Sequence, residues 1–136
     1  MDTPAVAFAL ASVLHAGFQV TVTTLVYPAL ASRGAEDWQV AHDRHSRAIV
    51  PLVAVVYVAL LATGVFLVAS GPDAVAWLGL GGAASALAVT ATLAAPTHGR
   101  LTDRDEALVA RLLVVDRWRC AAAVLGAVAS VAALAG

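Results

Sequence analysis

The residues of this chain best suited to chemistry are its four histidines, His15, His42, His45 and His98. His42 and His45 are spaced i, i+3, so on a helix both imidazoles lie on the apolar face that also carries Trp38. His98 follows Pro96 at the end of an apolar stretch, and we expect it at a similar depth. Three neutral imidazoles at one point can bind Zn, Cu or Fe and leave a position for water or substrate, or they can act as general bases.

The alternative for His42, His45 and His98 is an interfacial role, in which they pair with backbone carbonyls, lipid phosphates or water. If the cluster forms, Asp43 and Asp116 are candidates to accept imidazole N–H groups and orient the rings. On a helical wheel, however, Asp43 projects from the opposite face. The carboxylate next to His42 in sequence is therefore not the favoured partner.

A second set of polar side chains follows one face of the first apolar stretch. It consists of Ser12, His15, Gln19, Thr23 and Tyr27. His15 stands about 22 Å along a straight helix from the end that leads to His42, too far to join the other histidines unless that helix bends or tilts strongly. A polar stripe on so apolar a helix faces a cavity or the interior of a bundle. We therefore expect a substrate pocket lined by His15, Gln19, Thr23, Tyr27 and Tyr57, with interhelical hydrogen bonding as the alternative.

The elements that position these residues follow from the distribution of charge. Hydrophobic residues make up 61% of the 136-residue chain and charged residues only 12%, about half the usual charged fraction of a soluble domain. Four stretches carry no charge: Thr3–Ser32, Ala48–Pro72, Ala74–Gly99 and Cys120–Gly136. The first three exceed the roughly 20 residues that a membrane-spanning helix needs. The fourth is shorter and is expected to cross if Arg119 extends outward to the headgroups beside Trp118.

We predict an all-α integral membrane four-helix bundle, with residues 1–136 forming a single transmembrane domain. The predicted spans cover residues of about 4–28, 49–70, 74–95 and 118–136, and short cytoplasmic amphipathic helices cover about 35–47 and 103–116. Pro28 and Pro96 are expected to end the first and third spans, and Pro51 to kink or start the second. Small residues of the third span and the Ala122, Gly126, Ser130 series predict close helix contacts. No internal repeat stands out.

The arginines predict the orientation of the bundle. All eight lie in the connections 31–47 and 98–119, so the positive-inside rule places both connections in the cytoplasm and both termini outside. Eight Lys and Arg against nine Asp and Glu argue against a nucleic-acid partner. A single cysteine excludes an internal disulfide. The chain also lacks a phosphate-binding loop, a dinucleotide fingerprint and a Ser-His-Asp order.

Several short motifs together carry a resemblance. They are Gln19 with Tyr27-Pro28, then Trp38 with His42 and His45, then Pro96-x-His98-x-x-Leu101, and then Arg117-Trp118-Arg119. With this layout, nearly the whole chain resembles an uncharacterised bacterial family of small four-helix membrane proteins. That family is in turn similar to the anthrone oxygenase-like membrane proteins.

The resemblance implies oxidation of a polycyclic aromatic or quinol-type substrate by dioxygen, with roles for His98, Trp118 and Arg119. This chain departs from the pattern because it has histidine at position 98, where the oxygenase-like proteins more often have asparagine, and because it adds His42 and His45. Those departures favour a metal-assisted reaction with Cu, Fe or Zn. We therefore expect an integral-membrane oxidoreductase with its catalytic site near the cytoplasmic leaflet. The expected catalytic residues are His42, His45, His98, Trp118 and Arg119.

Two other functions fit the same sequence. One is a module that binds or transports a small molecule, a metal ion or haem without catalysis, and the other is an accessory subunit whose polar stripe meets a partner helix. In each case the expected location is the inner (cytoplasmic) membrane of a bacterium. The expected partners are the lipid bilayer and an apolar small molecule, and a homodimer is left open.

Overall fold

A computed structural model describes residues 2–136, which form four helices and no strand. The helices are α1 (Thr3–Ala31), α2 (Ala35–Ala69), α3 (Ala74–Gly99) and α4 (Glu106–Ala132). The predicted all-α class is confirmed. Helices α1, α2 and α3 are long and apolar enough to cross a membrane, as expected. Helix α4 is not, because charges occupy its first half and only the part after Arg119 is apolar.

The structure does not divide α2 or α4 into the two helices predicted for each. Residues 35–69 form one helix that passes through Pro51. A proline removes one backbone N–H, and the carbonyl left without that donor belongs to Arg47, an exposed residue that water can reach. Helix α4 is also continuous and begins later than predicted, because the Asp105 carboxylate caps it by accepting the backbone N–H of Leu108 at 2.9 Å.

The expectation that Pro28 and Pro96 end their helices is also wrong. A five-residue π-helical turn precedes each proline, over Val22–Val26 in α1 and Thr90–Ala94 in α3, and both helices continue beyond it. A π turn shifts the backbone hydrogen bonds by one residue, so a proline that cannot donate is accommodated without a break. Both turns fall on the same pattern, Thr-Leu-x-x-Pro, which is a short internal repeat that the sequence analysis missed.

Small residues hold α3 and α4 together, as predicted. A Cβ atom added to Gly82 would lie 2.5 Å from the Cα atom of Gly126, and one added to Gly79 would lie 3.1 Å from the backbone nitrogen of Ser130. Helix α1 packs against both α2 and α4. Helix α2 makes few close contacts with α3, so the bundle has a cleft between these two helices.

Apolar side chains fill both ends of the bundle. Trp38, Leu101 and Leu112 belong to the cluster at one end, and Phe8 and Leu60 to the cluster at the other. Between the two clusters, four of the buried side chains are polar or charged. They are His15, Gln19, Asp116 and Arg119. The polar layer lies where α1, α2, α3 and α4 all contribute to the interior.

Substitution of Gly82 by alanine tests the α3–α4 contact. We expect Gly82→Ala to lower the free energy of unfolding by about 1–3 kcal/mol, because its Cβ meets backbone atoms that cannot turn aside. Gly81→Ala is the matched control, since a Cβ there meets nothing within 4 Å and both changes raise helix propensity equally. Equal stability of the two variants in detergent unfolding would contradict the contact.

Candidate functional site

Three histidines from two helices meet at one end of the polar layer. The Nε2 atom of His42 lies 2.7 Å from Nδ1 of His98, so one of these rings donates an N–H and the other accepts it. The ring of His45 stacks on that of His98, with centroids 5.6 Å apart and an angle of 29° between the planes. The predicted convergence of His42, His45 and His98 is therefore observed.

Aromatic residues hold this cluster in place. Trp38 stacks on His42 at 5.6 Å, and its indole N–H donates to the carbonyl of Leu101. Tyr27 stands edge-on to both His45 and His98, with centroid distances of 5.9 and 6.3 Å. The apolar face that carries Trp38 thus fixes His42 against His98 rather than leaving it at the surface.

An apolar cavity of about 320 Å³ adjoins the cluster. It occupies the cleft between α2 and α3, where Ile49 and Val53 face Thr90 and Ala94, and Tyr27, His98 and Arg119 also contribute to its wall. Val50 at its edge is 62% exposed, so the cavity opens on the apolar outer surface of the bundle. Its volume lies at the lower end of the range of about 300–1,000 Å³ for ligand sites.

The histidines do not form a metal site in this arrangement. Within residues 2–136, no group of three or more His, Cys, Asp or Glu side chains is placed to hold a metal ion. The facing nitrogens of His42 and His98 are used in their mutual hydrogen bond. The predicted ligand set therefore does not fit Cu, Fe or Zn without rotation of these rings.

Two of the imidazole nitrogens have no partner. Nε2 of His45 and Nε2 of His98 are buried and make no hydrogen bond. The only carboxylate close to the cluster within residues 2–136 is Asp43, whose Oδ1 atom lies 4.0 Å from Nδ1 of His42. Asp43 is exposed and the His42 side chain is 11% exposed, so His42 stands between the half-buried His98 and the surface.

Arg119 points into the bundle, and the expectation that it extends outward to headgroups is wrong. It is 7% exposed and donates from Nη2 to the carboxylate of Asp116, which is itself 1% exposed. The hydroxyl of Thr23 donates to the other oxygen of that carboxylate at 2.6 Å. A buried ion pair with additional hydrogen bonds satisfies charges that would otherwise be very unfavourable in this interior.

The neighbouring residue Trp118 lies elsewhere. Its side chain is 70% exposed, and the structure does not bring it to the cavity. Asp116 and Arg119 are spaced i, i+3 and share the inner face of α4, whereas Arg117 and Trp118, which lie between them in sequence, fall outside that face. The Trp118-Arg119 pair implied by the resemblance is therefore divided between the surface and the interior.

The polar stripe of α1 divides into two groups. Thr23 joins Asp116, and Tyr27 joins the histidines, whereas His15 and Gln19 meet Tyr57 of α2 and Thr90 of α3. The Thr90 hydroxyl donates to the carbonyl of Ala86, so it must accept from the Tyr57 hydroxyl at 2.8 Å. Tyr57 in turn accepts from the Gln19 amide, whose other N–H faces Nε2 of His15 at 3.4 Å. His15 belongs to this group and not to the histidine cluster.

Sequence reasoning missed Thr90 as a site residue and assigned Asp116 the wrong partner. Thr90 lines the cavity and lies in the π turn of α3. The repeat Thr-Leu-x-x-Pro would have linked that turn to the equivalent turn of α1. The i, i+3 spacing of Asp116 and Arg119 is the usual signal of an ion pair on one helix face. This spacing favours Arg119, rather than an imidazole, as the partner of Asp116.

Comparison with known proteins gives no match for this chain among family models, curated proteins or solved structures. The arrangement of the site is therefore interpreted from its own geometry.

Removal of one member of the buried ion pair should be costly. We expect Asp116→Ala to lower the free energy of unfolding by about 3–5 kcal/mol, because it leaves the Arg119 charge buried without a partner. The double variant Asp116→Ala/Arg119→Ala should lose less than the sum of the two single variants. Arg117→Ala, on the exposed face of α4, should change stability by no more than about 0.5 kcal/mol. An Asp116→Ala variant as stable as Arg117→Ala would contradict the pairing.

Proposed function

We propose that this protein is an integral-membrane oxidoreductase of the oxygenase type, which acts on an apolar aromatic or quinol-type substrate. The observation that carries the proposal is the position of His98. Its imidazole lines an apolar cavity, its Nε2 atom is buried without a partner, and its Nδ1 atom is held by His42. An imidazole that lines an apolar pocket, with one nitrogen unpaired and the other held by a neighbour, suits proton abstraction from a bound substrate.

The chemistry would begin when Nε2 of His98 accepts a proton from an activated C–H or O–H group of the substrate. His98 can then release its Nδ1 proton across the 2.7 Å hydrogen bond to Nε2 of His42. His42 lies beside the exposed Asp43 carboxylate, which provides a route for the proton to water. The imidazoles of His98 and His42 thus form a proton path from the cavity to the surface at Asp43.

The oxidant in this proposal is dioxygen, which receives the electrons of the deprotonated substrate. For an anthrone-type methylene, one oxygen atom becomes the new carbonyl oxygen and the other leaves as water together with the two methylene hydrogens. The cleft between α2 and α3 supports entry of substrate and dioxygen from the bilayer, because its rim is apolar and exposed. Metal assistance would require His42 and His98 to exchange their hydrogen bond for coordination.

The second candidate is a module that binds or transports an apolar small molecule without catalysis. The repeated Thr-Leu-x-x-Pro turns favour it, since they give the hairpins α1–α2 and α3–α4 the same layout. Parallel repeats of this kind occur in membrane transporters. Binding without turnover would favour this candidate over the oxidoreductase.

Oxidation of anthrone by the purified protein tests the catalytic proposal. With the protein in lipid nanodiscs, we expect oxygen uptake and anthraquinone formation, and His98→Gln should slow both by at least about 100-fold because the base is lost. His42→Gln should reduce the rate less, and added imidazole buffer should restore part of it. Arg100→Gln, an exposed neighbour of His98, is the control.

Three results would count against this version of the proposal. The first is an unchanged rate in His98→Gln, which would exclude His98 as the base. The second is loss of activity on chelation together with bound Cu, Fe or Zn in the purified protein, which would favour a metal-assisted reaction. The third is saturable binding of anthrone and reduced quinones without turnover, which would favour the binding or transport module.

We further propose that α4 crosses the bilayer with the other helices, so that both termini face outside and the arginine-rich connections face the cytoplasm. Contact of Ser130 near the end of α4 with Gly79 near the start of α3 supports this, because the two helices then extend to the same level. Inward pairing of Arg119 with Asp116 removes the need for that charge to reach the headgroups.

Reporter fusions test this topology. We expect alkaline phosphatase fused after Gly136 to be active and green fluorescent protein fused there to be dark, because a positive-inside arrangement exports the C-terminus. The same reporters inserted after Asp103 should give the reverse pattern. Fluorescence at the C-terminus would contradict four crossings with external termini.

A further inference from the structure

Arg119 supplies the one permanent positive charge in the wall of the apolar cavity. The side chain is more than nine-tenths buried, and its Nε–H group is buried without a hydrogen-bond partner. A buried donor that remains unpaired is costly, and the cost rises when the donor is charged. Arg119 forms part of the cavity wall, so an acceptor atom that enters the cavity meets this guanidinium.

The surroundings of Arg119 fix the guanidinium. Asp116 accepts from Nη2 and is itself held by the hydroxyl of Thr23. The ring of Tyr27 lies 5.9 Å from the guanidinium carbon, within the range of a cation–π contact. Contacts from α1 and α4 thus hold the guanidinium in the wall of the cavity.

The charge of the site indicates what kind of acceptor it takes. Asp116 already neutralises Arg119, so an anionic ligand would place a second negative charge beside a buried carboxylate, which is unfavourable in an apolar cavity. A neutral carbonyl oxygen accepts the hydrogen bond and adds no charge. The remaining wall, with Ile49, Val53 and Ala94, suits the body of an aromatic molecule.

We propose that the guanidinium of Arg119 binds the carbonyl oxygen of a neutral aromatic ketone or quinone in this cavity. The inference rests on the proposed function, in that it takes the same cavity as the substrate site, and it names the class of molecule bound there. When His98 removes a proton from a ketone of the anthrone type, negative charge moves to the carbonyl oxygen. Arg119 then lies where it stabilises that charge.

A matched pair of ligands tests the proposal. Menadione and 2-methylnaphthalene share a methylated two-ring carbon skeleton, and only menadione carries carbonyl groups. We expect equilibrium dialysis against protein in nanodiscs, corrected with empty nanodiscs, to give menadione an affinity about 10–100-fold higher, the range for a hydrogen bond to a charged group. The carbonyl stretch of bound menadione should move to lower frequency in the infrared spectrum.

The variant Asp116→Asn/Arg119→Met removes the donor and keeps the site neutral. We expect the affinity ratio of the two ligands to fall close to one and the infrared shift to disappear, while 2-methylnaphthalene still binds. Arg117→Gln, on the exposed face of α4, should retain both the ratio and the shift. If the double variant does not fold, the infrared spectrum of menadione on the unmodified protein decides, and an unshifted carbonyl band overturns the proposal.

Other outcomes also decide. Equal affinities of the two ligands for the unmodified protein overturn the proposal, and so does a ratio that the double variant leaves unchanged. Tighter, Arg119-dependent binding of 2-naphthoate than of menadione overturns it in favour of an anion site. Arg119-dependent binding of menadione without any turnover of anthrone supports the ketone site and contradicts the oxidoreductase, so the two proposals can fail separately.

Discussion

The buried pair of Asp116 and Arg119 is the interaction on which the polar interior of this bundle depends. Two opposite charges sit where α1 and α4 meet, and Thr23 completes the hydrogen bonding of the carboxylate. Charges at such a depth are stable only when they are paired and hydrogen-bonded. The pair fixes the rotation of α4 about its axis, and this rotation turns Gly126 toward α3 and Trp118 toward the outer surface. It also leaves one donor of Arg119 free beside the cavity.

The second constraint is the pair of π turns that precede Pro28 and Pro96. A proline within a helix must lose a hydrogen bond, and both turns absorb this loss without ending the helix. Because the helices continue, His98 is carried one further turn, to the level of His42 and Tyr27. The turn of α3 also places Thr90 in the wall of the cavity and within reach of Tyr57. The two π turns thus lie between the histidine cluster and the group around His15.

Much of the architecture could be predicted because composition and residue spacing indicate membrane helices directly. Runs without charge gave the helical class and the three long apolar helices, and the i, i+3 spacing of His42 and His45 placed both on the face of Trp38. Helix ends at prolines were predicted wrongly, since a proline rule describes an average helix and not one with a π turn. The prediction that the Arg119 side chain extends outward was also wrong, because Asp116 competes with the headgroups as its partner. The local sequence does not specify how deep in the bundle the two residues lie.

By itself the sequence determined which residues are apolar, which faces of the helices are polar and which small residues permit close packing, because these depend on side-chain type and on a period of 3.6 residues. Tertiary structure alone decided that His98 bonds to His42 rather than joining a metal-ligand set, that His15 pairs with Gln19, and that a cavity opens between α2 and α3. Those outcomes depend on the rotation and separation of helices that are distant in sequence. Such quantities come from the sum of many contacts, and no local motif specifies them.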